Sequence, residues 1–252
     1  MLKRLLHQPS ELLREFGSSA RQRLRRRVKI LVWNVNKQKY ENSQRDFCRL
    51  CRGMDIVLVQ EACIRPEMRG FLRASKQQRW VLAQNLLTPA RHPAGVMTGS
   101  KAVPLHSRHI KSPHAEPFTR THKMSLATRY AVKGIGRALL VVNVHAVNFV
   151  STAKFAQQLR ALEDIISPHR GPVILAGDFN TWNAKRQRLL YETAARLGLM
   201  EAGFAPGEKT RCLGHEVDKV FFRECSVVSA RVRRDVKTSD HYPLQLLLSF
   251  PC

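Results

Sequence analysis

The sequence predicts an α/β sandwich built on mixed sheets, and three observations carry that expectation. Short apolar runs rich in β-branched residues alternate with segments of helical spacing, the pattern of sheets covered by helices. The runs 124–132 and 137–144 are joined through Gly134 and Gly136 and read as a hairpin, which argues against a purely parallel sheet. A chain of 252 residues, 44% apolar and 25% charged, is long enough for a sizeable core, and disordered or collagen-like architectures drop out.

Residues 1–27 read as a basic N-terminal arm crowded by Arg21, Arg23, Arg25, Arg26 and Arg27, with a short helix from Ser10. Lacking an uninterrupted apolar stretch, it is not expected to act as a signal peptide. Its deletion is expected to weaken polyanion binding and to spare turnover of small substrates. Residues 28–252 read as one domain. Val28–Val35 is its first strand, the polar stretch Asn36–Ser43 a loop, and Ser43–Arg52 a helix with Phe47, Leu50 and Cys51 on its apolar face, stopped by Gly53. Asp55–Gln60 is a strand that meets Glu61. The segment 84–123, rich in Pro and His, reads as long loops. Arg137–His145 is a strand ending in Asn143 and His145, and Phe155, Leu159, Leu162 and Ile166 form a helix behind a Ser151 cap. Pro172–Gly177 runs into Asp178-Phe179-Asn180, a helix carrying Leu189, Leu190, Ala194 and Leu197 closes at Gly198, Val217–Phe222 holds Asp218, and Tyr242–Phe250 follows Ser239-Asp240-His241.

Forty-three Lys and Arg against 19 Asp and Glu leave +24, a field that favours nucleic acid, anionic lipid or phosphorylated metabolites as partners. No obligate protein partner is evident. The six cysteines are irregularly spaced with no secretory signal before them, so a reduced, cytoplasmic setting is expected. Cys48 and Cys51 form a single CxxC without the second ligand pair of a zinc tetrahedron and read as structural thiols. No run of 18 apolar residues offers a membrane-spanning helix.

Chemistry gathers at the strand ends. Glu61, Asp178, Asp218 and Asp240 sit in or beside apolar strands, where an unpaired carboxylate costs several kcal/mol and calls for a cation or a histidine. Oxygen donors such as Glu61 and Asn36 suit Mg²⁺ or Mn²⁺ better than zinc. His145 and His241 can move protons, and Asp218 can pair His241 from across the sheet, fixing its tautomer.

The ordered set Trp33-Asn34, Gln60-Glu61, Asn143-Val144-His145, Gly177-Asp178-Phe179-Asn180, Asp218 in VDKVFF and Ser239-Asp240-His241 resembles the endonuclease/exonuclease/phosphatase superfamily, which includes deoxyribonuclease I, exonuclease III and neutral sphingomyelinases. The resemblance covers about residues 28–250, and the strings KMSLATRYAV, LLVVNVHAVNF and GPVILAGDFN resemble its bacterial YafD-like branch. It implies a four-layer α/β sandwich, two mixed sheets face to face with helices outside. It also implies a Mg²⁺-dependent phosphoric-ester hydrolase, with Mn²⁺ as substitute, first of all a phosphodiesterase or nuclease acting on DNA or RNA. By resemblance Glu61 is the principal metal ligand, Asn34 holds phosphate or metal-bound water, and Asn36 stands where some members have a metal-supporting Asp. Asp178 orients or deprotonates the attacking water, Asn180 bonds the phosphoryl oxygen, and Asp218 and His241 match the family's Asp–His pair. Asp240 is a metal-facing or structural neighbour. His145 is a catalytic and phosphate-binding position that points to the deoxyribonuclease I, sphingomyelinase and phosphatase side of the family. The choice of Asp178 or His241 as general base stays open. Two other functions also stay open: a phosphomonoesterase or a phospholipid phosphodiesterase at an anionic membrane, and a nucleic-acid-binding protein on a weakly active scaffold.

Overall fold

The sequence folds, in a computed structural model that describes residues 12–251, around two seven-stranded sheets. In chain order the elements are β1 (Leu13–Phe16), β2 (Arg23–Leu24), β3 (Arg27–Asn34), α1 (Ser43–Cys51), β4 (Ile56–Cys63), α2 (Pro66–Ala74), β5 (Arg79–Leu87), β6 (Pro93–Ser100), β7 (His106–Ala115) and β8 (His122–Val132). There follow β9 (Leu139–His145), α3 (Thr152–Ile166), β10 (Val173–Asp178), α4 (Ala184–Arg196), β11 (Met200–Glu201), β12 (Arg211–Cys212), β13 (His215–Glu216), β14 (Asp218–Arg223), β15 (Ser226–Val232) and β16 (Leu244–Ser249).

The first sheet has the order β1-β5-β6-β4-β3-β16-β15, the second β11-β14-β10-β9-β8-β2 with β7 also on β8. β3 runs parallel to β4 and β9 to β10, while β8 and β9 form the expected antiparallel hairpin, so both sheets are mixed. The inner faces share one core, in which Val28, Ile30 and Val32 of β3 meet Val141 of β9 and Ile174 of β10. The outer faces pack on helices. Phe47 and Leu50 of α1 and Met68 and Leu72 of α2 cover the first sheet, and Phe155, Leu159 and Leu162 of α3 with Leu190 of α4 cover the second. This is the four-layer sandwich. A central strand therefore buries both faces, and β9 and β10 are apolar almost without interruption for that reason.

The arm reading needs correcting. β1 pairs antiparallel with β5, β2 pairs parallel with β8, and Leu24 is 3% exposed within the shared core. Arg26 is bonded in both directions to Phe250. The boundary drawn at residue 27 thus falls inside the folded unit, and the helix expected from Ser10 is replaced by β1, whose backbone groups are satisfied by β5. The part of the arm before residue 12 lies outside the described residues. The segment 84–123 also differs from expectation. It completes β5 and contains β6 and β7, and β7 was unreadable because an edge strand carries polar residues such as His106, Arg108 and Lys111 along its length.

Candidate active site

Register brings the polar residues together. β9 and β10 align His145 with Asp178, β10 and β14 align Asp178 with Asp218, and β3 and β4 align Asn34 with Gln60. β3, β4, β9 and β10 bring their C-terminal ends, and β14 its first residue, to one side of the sandwich, so carboxylate, imidazole and amide groups project into one gap between the two sheets. Gly177 lets β10 approach β9 there: a Cβ on it would lie 2.0 Å from the Val144 carbonyl oxygen, and its φ is 142°. Glu61 is turned toward the gap at a bulge between Val59 and Ala62, with φ of 52°. The sheets are tied beneath it by Asn143, which accepts from Gln60 Nε2 at 2.6 Å and donates to the Met97 carbonyl at 3.0 Å.

Asp178 is the hub. Its Oδ2 accepts from Asn34 Nδ2 at 3.0 Å, and its Oδ1 from the Asn180 backbone N–H at 2.9 Å. His145 Nε2 lies 3.6 Å and His241 Nε2 3.9 Å from the same Oδ2. Burial raises the Asp178 pKa to about 6, with the Asp218 charge adding to it and His241 and the two hydrogen bonds opposing. His241 Nδ1 bonds Asp218 Oδ2 at 2.8 Å. Burial alone would lower the His241 pKa, but Asp218, Asp178 and Asp240 outweigh it and hold the imidazole at about 10. The ring is fixed from behind, where Trp33 Nε1 donates to the His241 carbonyl at 2.9 Å and Ser239 Oγ donates to the Asn34 carbonyl at 2.7 Å. His145 is the opposite case: burial, then the charges of Lys123, His241 and Lys37, push it well below the usual histidine range, so it is neutral at pH 7.

The remaining positions divide. Glu61 approaches His145 Nε2 at 3.8 Å, Lys37 at 3.3 Å and Lys123 at 3.9 Å. Asn180, with φ of 50°, is pinned by donating from Nδ2 to the Ala146 carbonyl at 2.9 Å. Asn36 borders the group through its backbone N–H, which donates to Asn34 Oδ1 at 3.0 Å. Asp240 is exposed, its Oδ1 lies 3.3 Å from Ser239 Oγ, and it reaches His241 through its charge. Glu61, Asn34, His145, Asp178, Asn180, Asp218 and His241 thus share one gap, while Asn36 and Asp240 stand at its margin.

Sequence reading missed Lys37, Lys123 and Glu116. Lys123 opens the KMSLATRYAV string, which was its one signal; Lys37 sits in a left-handed turn that nothing in the sequence announced. Glu116 joins two loops, meeting Lys123 at 3.5 Å and accepting the Asn148 backbone N–H at 2.8 Å. The same two loops bring Phe118 and Phe149 edge to face at 5.6 Å, with 81% and 61% of their surfaces exposed. Behind the second loop the fully buried Arg186 donates to the Val147 and Val150 carbonyls and lies over the Phe155 ring.

Among the described residues no three of His, Cys, Asp and Glu enclose a metal. A site with one carboxylate is nonetheless the kind Mg²⁺ uses, since it keeps most of its waters and takes one or two carboxylates plus substrate oxygens. Glu61, which already faces Lys37 and Lys123, and the Asn34 Oδ1, which accepts the Asn36 backbone N–H, are the oxygen donors such a site would draw on.

The sequence profile of the Endonuclease/Exonuclease/phosphatase family matches residues 31–241. A UPF0294 protein of Yersinia pseudotuberculosis is 37% identical over 218 residues, covering 86% of this chain and 82% of its own, a relative from the YafD-like branch. An endonuclease/exonuclease/phosphatase structure from Beutenbergia cavernae superposes with a TM-score of 0.71 at 18% identity, over 89% of this chain and 72% of that one. The catalytic domain of human Nocturnin, solved with a bound sulfate anion, superposes with a TM-score of 0.66 at 17% identity, over 97% and 100%.

Proposed function

The chain belongs to the endonuclease/exonuclease/phosphatase family, whose members are generally metal-dependent phosphoester hydrolases, and from that premise we propose that it is a Mg²⁺-dependent phosphodiesterase. One observation carries the reading: the Nε2 atoms of His145 and His241 lie 3.6 and 3.9 Å from the same Asp178 Oδ2, too far for direct hydrogen bonds and suited to sharing a water or a phosphoryl oxygen beside it. Glu61 and Asn34 would hold the metal, which when bound neutralises charge on the phosphoryl oxygens.

The protein's own groups divide the remaining tasks. With a pKa of about 6, Asp178 is ionised at neutral pH and accepts a proton from an incoming water, while Asn34 and Asn180 fix its two oxygens. At about 10, His241 enters the reaction protonated and donates toward a phosphoryl oxygen, with Asp218 keeping Nδ1 occupied so that Nε2 points into the gap. Neutral His145 contributes a hydrogen bond. As the bond from water to phosphorus forms and the bond to the leaving alkoxide breaks, Asp178 takes the proton of the water and His241 gives one to the departing oxygen, which makes Asp178 the base and His241 the acid. We keep the cytoplasm as its compartment, and the unbridged thiols at Cys48, Cys51, Cys63, Cys212 and Cys225 are in keeping with a reducing one.

The test is hydrolysis of bis(p-nitrophenyl) phosphate beside the monoester with Mg²⁺ or Mn²⁺, a chelator blank and the His241→Ala protein. Diester cleavage that needs metal and is lost in the variant supports the reading; a monoester preference replaces it with a phosphatase, and metal-free DNA or RNA binding without cleavage replaces it with a binding protein.

A second reading is favoured by Phe118 and Phe149, an exposed aromatic pair on the loops bordering Glu61 and His145, in a chain of charge +24. Aromatic rings beside cationic surface are what an enzyme acting on phospholipid would place in the headgroup layer. Cosedimentation with phosphatidylglycerol vesicles that falls in Phe118→Ser/Phe149→Ser would direct the substrate search to lipids; equal binding by both proteins would remove this reading.

A further inference from the structure

A cleft of about 580 Å³ opens at the other end of β9 from His145, between the helix-facing side of β7, β8 and β9 and the C-terminal end of α3. Next to the cleft that side of the sheet is apolar: Ala127 and Leu140 pack with α3 in the outer core, with Ile110 against them. At the cleft the pattern breaks. Register sets His106 opposite Arg129, Arg129 opposite Leu140 and Arg108 opposite Ala127, so Arg108 and Arg129 rise from the same face as neighbours. Arg170, from the turn after α3, lines the same space.

Like charges placed side by side on a sheet destabilise it. No carboxylate among the described residues pairs with Arg108, Arg129 or Arg170, although Asp164 lines the cleft, whereas Arg137 beside them is already joined to Glu224 at 3.2 Å. Guanidinium groups left without partners around a hollow have the geometry that grips phosphate through paired N–H donors. The volume falls in the range of small-ligand sites, and Leu140, Ile165 and Pro168 supply an apolar wall. Leu140 and His145 are five residue steps apart along β9, about 17 Å at strand rise, and the gap at His145 opens between the sheets rather than beneath the helices.

We propose that this cleft is a second anion site, separate from the catalytic gap, which takes a small ligand bearing two or more phosphate charges. It does not depend on the hydrolase reading.

The test titrates the protein calorimetrically with inorganic pyrophosphate in chelator, and measures diester hydrolysis in parallel. In Arg108→Ser/Arg129→Ser binding should weaken about tenfold or more, from the loss of two charge-assisted contacts, with hydrolysis unchanged. The control Arg45→Ser/Arg188→Ser removes the same charge from exposed positions on α1 and α4 and should leave binding intact. Thermal melts check the fold, which loss of two adjacent like charges should leave intact or stabilise. Equal weakening in both double variants would mean diffuse attraction to a +24 surface and overturn the proposal; so would unchanged pyrophosphate binding in the cleft variant, or a cleft-dependent affinity for an oligonucleotide or phosphatidylglycerol vesicles without one for pyrophosphate. Absent hydrolysis in the parent protein would sink the hydrolase reading and leave the titration untouched.

Discussion

His241 and Asp178 are held at displaced pKa values by the same few ångströms of structure, and each can be tested separately. His241→Ala or Asp178→Asn should lower diester turnover by about 10²–10⁴, the usual worth of a positioned acid or base, with an unchanged circular dichroism spectrum. A variant turning over like its parent would remove that residue from the mechanism. For stability the sign follows from linkage. His241 is raised from 6.5 to about 10 in the folded state, so its contribution is complete below pH 6.5 and is lost as pH rises through about 10. In metal-free protein the Tm advantage over His241→Gln should therefore be larger at pH 6 than at pH 10. Both residues were visible in the sequence because a carboxylate or imidazole at the end of an apolar run is costly unless used. Lys37 and Lys123 were not, because lysine is an ordinary surface residue in a chain this basic and only the fold brings them to Glu61.

Elements were readable in proportion to how evenly they are buried. β3, β9 and β10 lie between a helix layer and the opposite sheet and announced themselves as apolar runs. The α3 helix was read with its cap, and Ser151 Oγ does accept the Lys154 backbone N–H at 3.4 Å. Replacing Ser151 by Ala should cost about 1 kcal/mol in urea unfolding, and a loss under a few tenths would mean that solvent serves as well. By contrast α2 is nine residues with only Met68 and Leu72 buried, too little periodicity to see, although Pro66 at its first turn was a usable start signal. β1 and β2 were hidden by their arginines, because short edge strands need backbone partners more than apolar side chains.

The two sheets answer as one body because their inner faces share a core and Asn143 bonds across them. This changes what removal of residues 1–26 should do. The expectation of spared small-substrate turnover gives way to a loss of at least about 2 kcal/mol, since the deletion takes β1 from its sheet and exposes the pocket that Leu24 fills. A urea midpoint equal to that of the parent would show that neither strand contributes. The order of strands in the first sheet carries one more consequence. β16 lies between β3 and β15, yet β3 ends at Asn34 and β16 begins at Leu244. During synthesis the bare flank of β3 must wait roughly 10–40 s for its neighbour, at about 5–20 residues per second. Throughout that interval a nascent chain carries an apolar strand edge open to pairing with any other chain it meets.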